Sequence, residues 1–153
     1  MTTLAGAGGA PLPPVVEFAF PGPLRDALVG AVLTGEKTST TTLLAEFDHS
    51  GEEMPRPGVR GTVVDSAGRP VAVIETTEVR TVPLGEVDLA HVLAEGEGDA
   101  SVAEWRAGHE RFWHGAEMRA ELGGAWSEVD DATPVVLERF RLVADLRGAA
   151  ERG

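Results

Sequence analysis

Along the chain the spacing of apolar positions changes rhythm several times, and each change predicts an element. From Pro23 to Thr34, Leu24, Ala27, Leu28, Ala31 and Val32 recur on one helical face, with proline near the start and Gly35 placed to end the run. Thr38 to Leu44 is a β-branched stretch closing on leucines, which predicts a strand. His49 to Gly58 reads as a polar loop. Val59 to Asp65 and Pro70 to Val82 flank the turn Ser66-Ala67-Gly68-Arg69 and predict a β-hairpin. In its second strand Val71, Val73, Glu75, Thr77, Val79 and Thr81 alternate with Ala72, Ile74, Thr76, Glu78, Arg80 and Val82. One face is mixed, so both faces are expected to be partly covered, as in a small barrel.

A short helix is expected after Gly85, turning Val87, Ala90 and Leu93 inward before Gly96 breaks it. The loop Glu95-Gly96-Glu97-Gly98-Asp99 follows. Ser101-Val102-Ala103-Glu104 then has the form of a capping box, predicting a helix through His114 with Val102, Trp105, His109, Phe112 and Trp113 along one side. Thr133 to Val143 predicts a final strand. The order helix, strand, hairpin, helix, helix, strand lacks the alternation of a parallel α/β fold and carries too many strand signals for a bundle. It predicts an α+β domain over residues 15–143, a small mixed β-barrel with flanking helices. Glycines and prolines in residues 1–14 predict a flexible tail without regular structure, and residues 144–153 are read the same way.

The length suits one domain with a real core, and the absence of cysteine removes disulfides, thiolate metal sites and cysteine nucleophiles. The opening segment lacks a basic and apolar leader pattern, and no apolar run is long enough to span a membrane, so a cytoplasmic protein with no membrane partner is expected. The net charge of −12 repels a phosphate backbone and disfavours tight binding of long nucleic acids. It leaves room for one small ligand. The four histidines show no convincing zinc spacing, and neither a Walker loop nor a GxGxxG loop is present, so no metal and no cofactor are expected.

Lys37 is the only lysine; every other basic residue is arginine. A lysine amine can shed its proton when desolvated, which arginine cannot, so this position is a candidate base or nucleophile. An exposed lysine following a helix end is the competing reading. Thr40 offers a hydroxyl that becomes a nucleophile only with a base beside it. In a regular strand, positions three apart face opposite ways, so cooperation between Lys37 and Thr40 requires a bulge or turn. In the acidic loop, Asp99 is explained as a helix-start residue, while Glu97 is free to orient the lysine or bind a ligand donor; a solvated surface acid is the alternative. His109 lies one turn from Trp105, which makes a ligand-stacking ledge or a packed histidine. Glu75, Trp105 and His109 are the candidate substrate contacts.

Taken together, GEKTST, the hairpin with VAVIETTEV, the AEGEGD loop and the SVAEWRAGHERFW helix resemble the ASCH-domain family, over roughly Phe18 to Val143. The resemblance implies a PUA-like barrel and RNA-related roles. Some small bacterial members are amidohydrolases that deacetylate N4-acetylcytidine, with the motif's lysine and threonine and a loop glutamate as the catalytic set. Carried over by motif, these fall on Lys37, Thr40 and Glu97. Many members have an arginine two residues after the threonine, where this chain has Thr42. The expectation is therefore a hydrolase of an N-acylated nucleoside or related amide, with a small nucleoside-like ligand or RNA as partner. A non-catalytic RNA- or nucleotide-binding module and a metal-independent ribonuclease are the alternatives.

Overall fold

The computed structural model describes residues 3–5 and 11–147. Six strands form one sheet in the order β1-β2-β4-β5-β6-β3: β1 Thr3–Ala5, β2 Pro11–Val16, β3 Ser39–Leu43, β4 Arg60–Val64, β5 Pro70–Pro83 and β6 Pro134–Asp145. Five helices flank it: α1 Pro23–Thr34, α2 Leu44–Ser50, α3 Leu89–Ala94, α4 Val102–Trp113 and α5 Ala116–Leu122. The α+β class is as expected. The barrel is not, because the described strands form an open sheet with β1 and β3 at its two ends. Where closure would need β3 to meet the N-terminal strands, the chain leaves β2 and runs as Phe18–Phe20 instead, and the gap becomes a cleft lined by Phe18, Phe20 and Thr40 to Thr42.

The expected tail at residues 1–14 is partly strand, whereas residues 1–2, 6–10 and 148–153 lie outside the described part. Pro13 and Pro14 are tolerated because the parallel pairing of β2 with β4 uses Val15 and Val16, and Pro13 contributes its carbonyl to the Thr62 hydroxyl at 2.7 Å. Gly61 makes the approach possible: a Cβ there would stand 2.3 Å from Val16 Cγ2. At the other end β6 runs on through Asp145, two residues into the expected C-terminal tail.

Helix α1 has the expected bounds, with Pro23 in its first turn and Gly35 at φ 84° ending it. Two short helices, α2 and α5, occupy stretches without a sustained period. The phase of α3 also differs from expectation: Asp88 caps it by accepting from the His91 amide at 2.9 Å. This later start turns His91, Val92 and Glu95 inward, while Ala90 is exposed and Leu93 is 58 % exposed. For α4, Ser101 accepts from the Glu104 amide, but the Glu104 carboxylate reaches the Ala100 amide, one residue beyond the expected capping box.

Apolar residues pack on both faces of the sheet. One cluster joins Leu43, Val135 and Leu137 to Val92, Trp105, Trp113, Met118 and Leu122 from the three C-terminal helices. The other joins Phe18, Val63, Ala72, Ile74 and Phe140 to Val29 and Val32 of α1. Coverage of both faces explains the mixed alternation in β5. Among the described residues no helix is long and apolar enough to cross a membrane.

Candidate functional site

Gly35 ends α1 in a left-handed turn, and the Lys37 amide is drawn back to the Ala31 carbonyl at 3.0 Å. This is the irregularity needed before the strand: it turns Lys37 into the interior, where the side chain is 1 % exposed. The end of α3 arrives from the other side. Thr38 donates its amide to Ala94 O at 2.7 Å, and Gly96, at φ 65°, lies so close that a Cβ would stand 2.1 Å from Glu36 O. Only glycine permits that contact. It places Glu95 and Glu97 against the lysine.

Lys37 Nζ lies 3.3 Å from Glu97 Oε2 and 3.6 Å from Glu95 Oε1, donates to Glu95 O at 3.5 Å, and stands 5.8 Å from the centre of the Phe18 ring. Glu95 is the hub. Its Oε2 accepts from Trp105 Nε1 and from the Thr41 hydroxyl, both at 2.7 Å, and His109 Nε2 stands 3.3 Å from Oε1. Thr41 has one hydroxyl proton and gives it to Glu95, so His91 Nε2, 2.7 Å away, donates to Thr41. Ser39 fixes the same histidine's backbone by donating to its carbonyl at 3.1 Å.

These contacts set the charges. Burial alone would raise the Glu95 carboxyl, but hydrogen bonds from His109 and His91 and the Lys37 charge outweigh it and hold the group well below the usual carboxylate range. Glu97 goes the other way. Partial burial and the adjoining Glu95 carboxylate push it up to about 7 despite the lysine. Burial opposes the charged form of His109, but the bond to Glu95 and its negative charge prevail and raise the imidazole. Trp105 O, 3.0 Å from Nδ1, can only accept, which requires a proton on that nitrogen as well.

The site opens into a cleft of about 590 Å³, lined among others by Phe18, Lys37, Thr40, Glu95, Glu97 and His109. Its volume suits a ligand of nucleoside size. Thr40 lines the cleft but its hydroxyl makes no hydrogen bond to Lys37 or to any other described residue, so the structure joins Lys37 with Glu97 and leaves Thr40 nearby. His109 also lines the cleft. Trp105 does not: it is fully buried and stacks on His109, with ring centres 4.2 Å apart, so in this structure it supports the histidine. Glu75 also stands apart from the cleft. It pairs with Arg60 at 3.0 Å and Arg141 at 3.3 Å.

Glu95, Glu97 and His109 offer ligand atoms within 4.8 Å of one another, the spacing of a metal triad. Lys37 Nζ lies between the two carboxylates and supplies positive charge there. Glu95, Thr41 and His91 were not singled out by the sequence. The one available signal is the four-residue spacing from His91 to Glu95, which places both on one helical face.

The ASCH domain model matches residues 17–144. The structure is similar to the crystal structure of an ASCH domain from Lactobacillus crispatus JV V101, at 29% identity and TM-score 0.72, covering 84% of this chain and 78% of that one. It is also similar to a protein from Enterococcus faecalis V583, at 25% identity and TM-score 0.76, covering 91% and 81%. A hypothetical protein at 14% identity and TM-score 0.50, covering 77% and 93%, shares the fold alone. No curated protein matches the sequence. The matched span takes in the lysine turn, strands β3 to β5, β6 as far as residue 144 and the helix carrying His109, and the chain belongs to the ASCH-domain family.

Proposed function

We propose that this protein hydrolyses a small N-acylated nucleoside or related amide in the cleft at Lys37. The observation that carries this reading is the sole lysine, buried and held against Glu95 and Glu97 at the wall of a nucleoside-sized cleft. Each hydrogen bond the amine makes, it donates, which suits polarising an amide carbonyl. Glu97 titrates close to neutrality, so it suits moving a proton in both directions. The base role implied for Lys37 by the resemblance therefore passes to Glu97 in this geometry.

Thr40 is the nucleophile in this scheme. Its proton goes to Glu97, directly or through one water, as Oγ1 bonds to the acyl carbon. The C–N bond then breaks, Glu97 returns the proton to the departing amine, and water hydrolyses the threonyl ester. Glu95, saturated with donors, fixes the lysine and histidine. Incubation with N4-acetylcytidine, following cytidine release, tests the reading. Lys37→Ala and Thr40→Ala should each reduce turnover by about a hundredfold or more. Absence of turnover by the unaltered protein would sink it.

A non-catalytic pocket for a nucleoside or nucleotide is the second reading, favoured by the unpartnered Thr40 hydroxyl. Binding of N4-acetylcytidine without release of cytidine would select it. A shallow salt response would separate either reading from attachment to an RNA polymer.

A further inference from the structure

Ala19 is the one non-glycine residue with positive φ among the described residues, at 57°. Such a backbone is strained for a residue with a side chain and persists only where surrounding groups enforce it. The enforcing group is Arg25. Its side chain is 3 % exposed although it carries a full charge, and it points back from α1 onto the strained segment. Nε donates to Phe18 O at 3.1 Å, Nη2 to Ala19 O at 2.8 Å and Nη1 to Asp65 O at 3.5 Å, while Glu17 lies 3.3 Å from Nη2. Ser66 ties the same segment to the hairpin turn, accepting from the Gly22 amide at 2.9 Å.

The segment so held is one wall of the cleft. Phe18 lies over the Lys37 amine, and Phe20 packs on Phe112 of α4 with ring centres 5.6 Å apart. Three backbone acceptors from two elements converge on a single rigid fork of donors, which a lysine or an apolar residue could not reproduce. We propose that Arg25 is a positioning residue: it clamps the Phe18–Phe20 wall shut over Lys37 and so controls access to that amine. The clamp stands on the cleft geometry and holds whether the cleft hydrolyses its ligand or only binds it.

Because Lys37 is the sole lysine, amine labelling reads the wall directly. The full-length protein is treated with trinitrobenzenesulfonate under native conditions, and modification at Lys37 is followed by peptide mass spectrometry, which separates it from the terminal amine. Arg25→Met and Phe18→Ala should each speed Lys37 labelling by about tenfold or more, and the double variant should be little faster than either, because both open one wall. Val73→Ala, a buried change on β5 outside the cluster that holds Phe18, supplies a control matched for lost thermal stability. Labelling of Arg25→Met no faster than that of Val73→Ala would overturn the proposal, leaving Arg25 a merely structural residue. Cytidine release is scored separately, so failure of the hydrolase reading leaves this result interpretable.

Discussion

Gly96 has no room for a side chain. Its φ of 65° and the 2.1 Å that would separate an added Cβ from Glu36 O put both strain and a backbone clash on any substitution. Gly96→Ala should cost at least about 2 kcal/mol and lower Tm, measured by thermal unfolding, because the close seam between α3 and the lysine turn must part. Glu97→Gln tests the electrostatics. Between its ordinary value of 4.5 and about 7 the folded protein keeps a proton that the unfolded chain releases, so Glu97 lowers stability as pH rises through that window. Glu95, shifted the opposite way, gives stability above its ordinary value that is lost on acidification. Denaturant midpoints should therefore fall less between pH 5 and about 7 in Glu97→Gln than in the unaltered protein. Thr41→Val would take one donor from Glu95 and leave His91 Nε2 only its 3.2 Å contact with Glu95 Oε2, at about 1 kcal/mol by chemical denaturation. Lys37 was legible from sequence because it is unique in the chain. Glu95 was not, since one acid among many gives no sign that burial will make it the hub.

At the scale of elements, sequence patterns were readable where a period ran long enough. α1 and the β4–β5 hairpin have strong signals and formed as expected. The seven-residue helices α2 and α5 are too short to show a period, and the N-terminal prolines concealed β2, whose pairing with β4 falls on the two valines after them. The α3 phase depended on which residue caps it, Asp88, and that choice decides whether His91 and Glu95 face the lysine. Capping also matters for the helix that presents His109. Ser101→Ala should cost about 1 kcal/mol by chemical denaturation. Gly61→Ala should destabilise by forcing β2 away from β4, and Val16→Ala should restore much of the loss in the double variant, because the obstructing atom is the Val16 methyl.

For the whole molecule, acidic charge and an enclosed site point the same way. A chain of net charge −12 should bind long RNA only weakly near physiological salt, with Kd no tighter than about 10⁻⁴ M by filter binding. The open sheet was the feature least readable in advance, since closure depends on the path between β2 and α1 and not on any strand's own pattern. That path made a cleft out of the gap.

The order of strands also bears on how the protein is made. β3, the floor of the cleft, pairs only with β6 among the described strands, and the partners Ser39 and Arg139 lie about a hundred residues apart. During synthesis the Lys37 turn and its threonines emerge long before the strand that aligns them. Until residues 134–145 leave the ribosome, this segment has no sheet to join, and a chain stopped short of them would hold the site's residues without its floor. Assembly of the cleft is thus tied to the synthesis of β6.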